Sequence, residues 1–286
     1  MAYLLRNPAE PDAVRFGDFE ILGNLGSLEV GLATTADAVA AAQRLRFSVF
    51  YQEMSAVADA EARASGRDRD RFDAVCDHLV VVDRSVAGDD GEPMVVATSR
   101  LLRQDVADRT LGFYSAGEFD LSGMRARNPD RKFLELGRSC VLAPYRTRRT
   151  AELMWHGIWR YFREHQLDVM IGCGSLEGIN IDALAPLLAM LRRHAPAPEA
   201  WRVTAEGGDG VSLDALGDPG PLGERGLMRA LPPLIKGYLR LGAYVCEEAV
   251  VDRAFGTTDV FLVLPVEAIS ARYIRYYGAG ADRYAA

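Results

Sequence analysis

The stretch LELGRSCVLAPYRTRRTAELMW, Leu134 to Trp155, constrains the fold more than any other part of the chain. It opens as an apolar strand, passes Pro144, and crosses Arg146, Arg148 and Arg149 as an amphipathic helix begins. A strand that hands over directly to a helix belongs to layered α/β architectures, where ligands gather at the carboxyl ends of strands. A helix N-terminus attracts anions through unpaired N–H groups and its dipole. The region is also basic: Arg125 to Arg163 holds ten Lys or Arg against three Asp or Glu, in a chain whose formal charge is −7. That contrast points to an anionic partner. The alternative is a solvated helix face with arginines scattered around the molecule.

Hydrophobic spacing supplies the remaining elements. TADAVAAAQRLRFSVFYQEM, Thr35 to Met54, reads as a helix, with Val39, Ala42, Leu45 or Arg46, Val49, Phe50 and Met54 at helical spacing and Arg46 at the edge of the apolar face. ASGRDRDRFDAVCD reads as an ordered polar loop. HLVVVD and MVVATSRLL form a hairpin about the turn VAGDDGEP. KFLELGRSCVL is the next strand, and a helix from Thr150 to Gln166 follows, with Ala151, Met154, Ile158 and Phe162 on one side. DVMIGCGSL is a buried strand, IDALAPLLAMLRRH a helix, and AEGGDGVSLDALGDPGPLGERG a loop. LPPLIKGYLRLGA is a short helix, and YVCEEAVV and TTDVFLVLPV are the closing strands. The expected fold is a mixed β-sheet flanked by helices, in one domain spanning 1–286. Residues 1–27 are expected as a peripheral extension and 177–230 as a variable insertion.

Composition excludes several classes. The four cysteines form no CxxC pair and the four histidines no HExxH pattern, so reduced core thiols and no metal are expected. No apolar run approaches the roughly 20 residues of a membrane span. The N-terminus lacks a charged-then-apolar secretory pattern. These features predict a cytoplasmic protein. Nucleic-acid binding finds no support in an acidic chain with no reader motif.

The turn Arg146-Thr-Arg-Arg149-Thr-Ala151 resembles the [Q/R]xxGx[G/A] turn of the Gcn5-related N-acyltransferase fold, with Arg149 in place of the middle glycine. LRFSVFYQEM, DRDRFDAVCDHLVV, ATSRLL, FYSAGEFDL, FLELGRSCVLAPYRT, LPPLIKGYLRLGA and TTDVFLVLP, in that order, resemble the bacterial ornithine-lipid N-acyltransferases. The first five also resemble acyl-homoserine-lactone synthases, whose characteristic positions correspond here to Arg46, Phe50, Asp70, Asp73, Arg100, Glu135 and Arg138. The resemblance implies transfer of a (3-hydroxy) fatty acyl group from acyl carrier protein to the α-amino group of L-ornithine, giving lyso-ornithine lipid. The donor would be the acyl-phosphopantetheine of the carrier, with acyl-CoA a second possibility, and no cofactor would be bound permanently. An amphiphilic product implies transient contact with the inner membrane. Another amine acceptor, a signal lactone product, or a non-catalytic carrier-binding protein are the alternatives.

That chemistry assigns candidate roles. An α-amino group has a pKa of about 8 and must lose a proton before attack. Glu135 is the candidate base, directly or through a water, or else a structural partner of an arginine. Arg138 lies three residues on and would share its side of the strand only if Gly137 carries a bulge. The main-chain N–H of Val141 or Leu142 would meet the developing oxyanion, a role Pro144 cannot fill. Arg146, Arg148 and Arg149, with the N–H groups near Thr150 and Ala151, would hold the pantetheine phosphate. Arg149 would crowd the pyrophosphate of coenzyme A but could reach a single phosphodiester. Arg46 and Arg100 are candidates for the ornithine carboxylate, and Asp70 and Asp73 for its side-chain ammonium. A local charge ladder is the alternative for that acidic pair. Tyr238 is either an acid for the leaving thiolate or an aromatic cover on the sheet.

Overall fold

The computed structural model describes residues 15, 16, 19–54, 56–88, 93–208, 210–217 and 223–277. Its longer strands are β1 (Phe19–Leu25), β2 (Leu28–Ala33), β3 (Asp77–Ala87), β4 (Pro93–Arg103), β5 (Phe133–Val141), β6 (Val169–Glu177), β7 (Tyr244–Asp252) and β8 (Thr257–Pro265). The main helices are α1 (Ala36–Phe47), α2 (Arg148–Glu164), α3 (Ile181–His194) and α4 (Pro233–Leu241). The chain packs as two compact units. The first holds residues 1–111, 136–167 and 272–286, and the second holds 112–135 and 168–271.

In the first unit β1 to β4 form an antiparallel meander, with the C-terminal part of β5 beside β4. β3 is buried from His78 through Asp83, on both of its faces, as a central strand requires. Its alternating side chains serve two helices. Val80 and Val82 pack with Ala38, Ala42 and Leu45 of α1. Leu79, on the opposite face, meets α2 at Gly157, where an added Cβ would lie 3.1 Å from Leu79 and 2.5 Å from Val30. Period-2 alternation thus sandwiches the sheet between α1 and α2.

The strand–turn–helix expectation holds, with a shifted start. Thr147 caps α2, accepting from the Thr150 amide at 3.3 Å, so the helix begins at Arg148 rather than Thr150. Thr150 is buried and Ala151 is exposed, the reverse of the expected facing for Ala151. α1 ends at Phe47 and gives way to a π-helical turn, Ser48–Glu53. The hairpin of β3 and β4 forms as expected, and residues 89–92 of its turn lie outside the described residues. Of the N-terminal segment, Arg15–Phe16 and β1 are strand. Residues 1–14 lie outside the described residues.

In the second unit the first residues of β5 pair in parallel with β6, Glu135 opposite Ile171. β6 pairs antiparallel with β8, and β8 with β7. The sheet is therefore mixed. β8 is buried along its whole length. α4 packs on β6 and β8, and Ile235 closes over Gly174. No helix among the described residues is long and apolar enough to cross a membrane.

Candidate active site

In the first unit, three arginines and three aspartates interlock. Arg46 is fully buried, not at the edge of the α1 stripe as its spacing suggested. Its Nε donates to Asp68 Oδ2 at 2.8 Å, and Nη1 and Nη2 each donate to Asp73 at 2.9 Å. Arg100 on β4 donates to Asp70 Oδ1 at 2.5 Å and to Asp73 Oδ1 at 3.3 Å. Arg138 completes the set, with ion pairs to Asp68 at 3.3 Å and Asp70 at 3.5 Å. Gln43 and Tyr51 add donors to Asp73 and Asp68. A charged arginine inside a protein is tolerated only where its donors meet acceptors, and this loop supplies them.

The DRDRFD segment folds for that purpose. Asp70 caps the 3₁₀ turn Arg71–Ala74, accepting from the Phe72 amide at 2.8 Å, while Asp73 accepts from the Asp70 amide. Burial alone would raise the Asp73 carboxyl. Hydrogen bonding and charge from Arg46, then charge from Arg100, overcome it and hold the pKa at about 2. His78 is buried behind Asp73, its Nε2–H donating to the Asp73 carbonyl at 3.0 Å. Burial lowers its pKa and keeps it neutral. A cavity of ≈ 270 Å³ opens beside Gln43, Asp73 and His78.

Arg46, Asp70, Asp73 and Arg100 are thus brought together, each bound to another member of the set. Arg138 joins them through an irregular backbone. Its φ is 50°, in the left-handed region, so the break in the strand falls at Arg138, one residue after the expected Gly137. Such a conformation costs a non-glycine residue about 1–2 kcal/mol. It redirects the side chain away from strand alternation, and strain of this kind concentrates at functional sites.

Glu135 belongs to the second unit and is buried. Its carboxylate accepts from the Tyr114 amide at 2.6 Å, the Ser115 amide at 2.8 Å and the Ser115 hydroxyl at 2.5 Å. These bonds fasten the strand to the turn Tyr114–Gly117. Nearby, Cys173, Glu118 and Asp259 place their ligand atoms within 4.8 Å of one another. The Cys173 thiol donates to Glu118, and burial, then the charges of Glu118, Asp259 and Glu135, push its pKa well up. Tyr238 is buried on α4, and burial followed by Cys173 and Glu135 raises its pKa, which keeps it a phenol.

The arginine turn lies wholly in the first unit. Arg146 donates Nε to the Val141 carbonyl at 3.0 Å and pairs with Glu53. Arg148 reaches Glu152 and the Tyr276 hydroxyl with its side chain 83% exposed. Arg149 donates to the Leu25 carbonyl at 3.0 Å and covers Gly26. The amides of Thr150 and Ala151 are taken by Thr147, through its hydroxyl and its carbonyl. The unpaired amides of the helix start are therefore those of Arg148 and Arg149. Leu142 donates its amide to Val96 at 2.9 Å, which leaves the oxyanion expectation on Val141.

Sequence reasoning missed Asp68, Tyr51 and Ser115. In DRDRFD and its flanks, alternating charge does not reveal which acid turns inward. The signal for Ser115 was its place in FYSAGEFDL, without a role attached.

A strand with a left-handed residue near its carboxyl end, a capped helix with free leading amides and flanking helices fit a GNAT-type acyltransferase. Residues 45–156 match the family model described as Acetyltransferase (GNAT) domain. An L-ornithine N(alpha)-acyltransferase of Rhizobium meliloti (strain 1021) is 46% identical over 99% of this chain and 93% of its own length. One of Agrobacterium fabrum is 48% identical over 92% of this chain and 89% of its own. A looser likeness links the chain to the solved N-acyl amino acid synthase FeeM from uncultured soil microbes, with TM-score 0.43 and 9% identity over 84% of this chain and 91% of that one. The chain belongs to the family of L-ornithine N(alpha)-acyltransferases.

Proposed function

We propose that the chain transfers a 3-hydroxyacyl group from acyl carrier protein to the α-amino group of L-ornithine, releasing lyso-ornithine lipid. The observation that carries this reading is the identity to ornithine N-acyltransferases across nearly the whole chain. Each residue's chemistry suits its proposed role. The pantetheine phosphate meets the leading amides of α2 and the side chains of Arg146, Arg148 and Arg149. Arg148, the most open of the three, contacts the phosphate or the acidic carrier surface. The Val141 amide faces the thioester oxygen as it gains charge. Glu135 takes the ammonium proton by way of the Ser115 hydroxyl, which already donates to it. Thiolate leaves as the amide bond forms, and the proton released by the attacking nitrogen returns to the thiolate.

Ornithine is read by the interlocked charges. Arg46 and Asp73 are spent on each other and form the frame. Arg138 and Asp70, 13% and 26% exposed on their side chains, contribute the edge of the network, with buried Arg100 paired to Asp70 behind them. The product is amphiphilic, and Met54 and Val57 present 38% and 71% of their surface near the paired Glu53 and Arg146. They give the protein a foothold on the inner membrane from the cytoplasmic side.

Incubation with carrier-bound and CoA-bound acyl groups and a panel of amino acids, followed by mass spectrometry, tests the reading. N-acylornithine formed from the carrier thioester is expected. Acylation confined to other amines, or no transfer, would refute it.

A further inference from the structure

Asp68 is buried and holds two cations on one oxygen: Arg46 Nε at 2.8 Å and Arg138 Nε at 3.3 Å both lie on Oδ2. Its other oxygen accepts the Tyr51 hydroxyl at 3.1 Å, and its carbonyl accepts from Arg46. Two guanidinium groups this close repel each other, so the carboxylate between them fixes where each can rest. Arg46 is locked further by Asp73, and Arg138 also forms a longer ion pair with Asp70, at 3.5 Å. Arg138 also stands on the left-handed backbone residue of β5, so its direction is set by unusual geometry at one end and by Asp68 at the other.

We propose that Asp68 is a positioning residue for the reaction: it aims the Arg138 guanidinium at the amino acid substrate, with Tyr51 holding the carboxylate in register. Asp68 acts through Arg138 and does not itself touch substrate. The inference rests on the proposed acylation of ornithine. Its signature is selective, because a misdirected Arg138 weakens recognition of the amino acid and leaves the acyl donor untouched.

The test compares Asp68→Asn, Arg138→Lys and the double variant in steady-state kinetics, with Tm recorded for each. Asp68→Asn is expected to raise KM for ornithine roughly tenfold or more, as loss of a charge-assisted contact does, with KM for the acyl donor unchanged. In the Arg138→Lys background the same change should alter ornithine KM less than about twofold, since a shared pathway is non-additive. If Asp68→Asn does not fold, Tyr51→Phe replaces it, with a smaller rise confined to ornithine expected. Equal increases in both KM values, an unchanged ornithine KM, or full additivity with Arg138→Lys overturns the inference. Wild-type turnover of ornithine is measured alongside, and its absence would count against the proposed function rather than against Asp68.

Discussion

Arg46 shows how a single residue can be both a fold determinant and a site frame. All of its guanidinium donors with partners go to the loop of Asp68 and Asp73, and its side chain is fully buried. Arg46→Ala would strand two buried carboxylates without their main cation. A loss of about 3–5 kcal/mol is expected, read as a fall in the urea midpoint. Asp73 carries a pH signature. Its folded pKa of about 2 lies below the free value of about 3.9. A depressed carboxyl contributes stability above the unfolded pKa and loses it as pH falls through the folded one, so the loss runs from about pH 4 to pH 2. His78, lowered by burial, acts in the same direction, since the unfolded chain binds its proton first below about pH 6.5. Urea midpoints should decline gently below pH 6.5 and steeply below pH 4, and Asp73→Asn should flatten the steep part. A midpoint that holds constant down to pH 3 would contradict the network.

At the scale of elements, α2 depends on one missing side chain. Gly157 lets the helix approach β2 and β3, and a methyl there would meet the stiff Val30 side chain at 2.5 Å. Gly157→Ala gains about 1 kcal/mol of helix propensity but overpacks the contact by about 1–3 kcal/mol. A net loss is expected, visible as a lower Tm, and a higher Tm would show that the sheet can yield. The elements were largely legible because their periodicities are strong: the β3–β4 hairpin, β5, α2, β6, α4 and β8 all follow from apolar spacing. The boundaries were less so. Thr147 reads as an ordinary turn residue until its hydroxyl is seen to cap the Thr150 amide, and that moved the start of α2. The π-helical turn after Phe47 interrupts a pattern that spacing alone continued to Met54.

Across the whole molecule, the candidate site was legible in its residue types and much less in its contacts. Arg46, Asp70, Asp73, Arg100 and Arg138 were singled out from sequence, but Asp68 joins them only through ion pairs spanning 22 and 70 positions of chain, which no local pattern encodes. Glu135 was identified from its motif, while the turn that binds it, Tyr114–Gly117, stood in FYSAGEFDL with no role attached. The basic segment on an acidic chain predicts a long-range effect. Raising salt from about 0.05 to 0.3 M shortens the Debye length by a factor of about 2.4 and should raise KM for the carrier thioester more than KM for ornithine. Equal responses would argue against electrostatic capture of the carrier.

The most direct measurement is the KM of wild type and of an Arg146→Ala, Arg148→Ala, Arg149→Ala variant for 3-hydroxyacyl carrier protein, at saturating ornithine. A donor seated on the start of α2 predicts a clear rise in that KM with ornithine KM preserved. An unchanged donor KM in a folded variant would place the pantetheine arm elsewhere and contradict the proposed site.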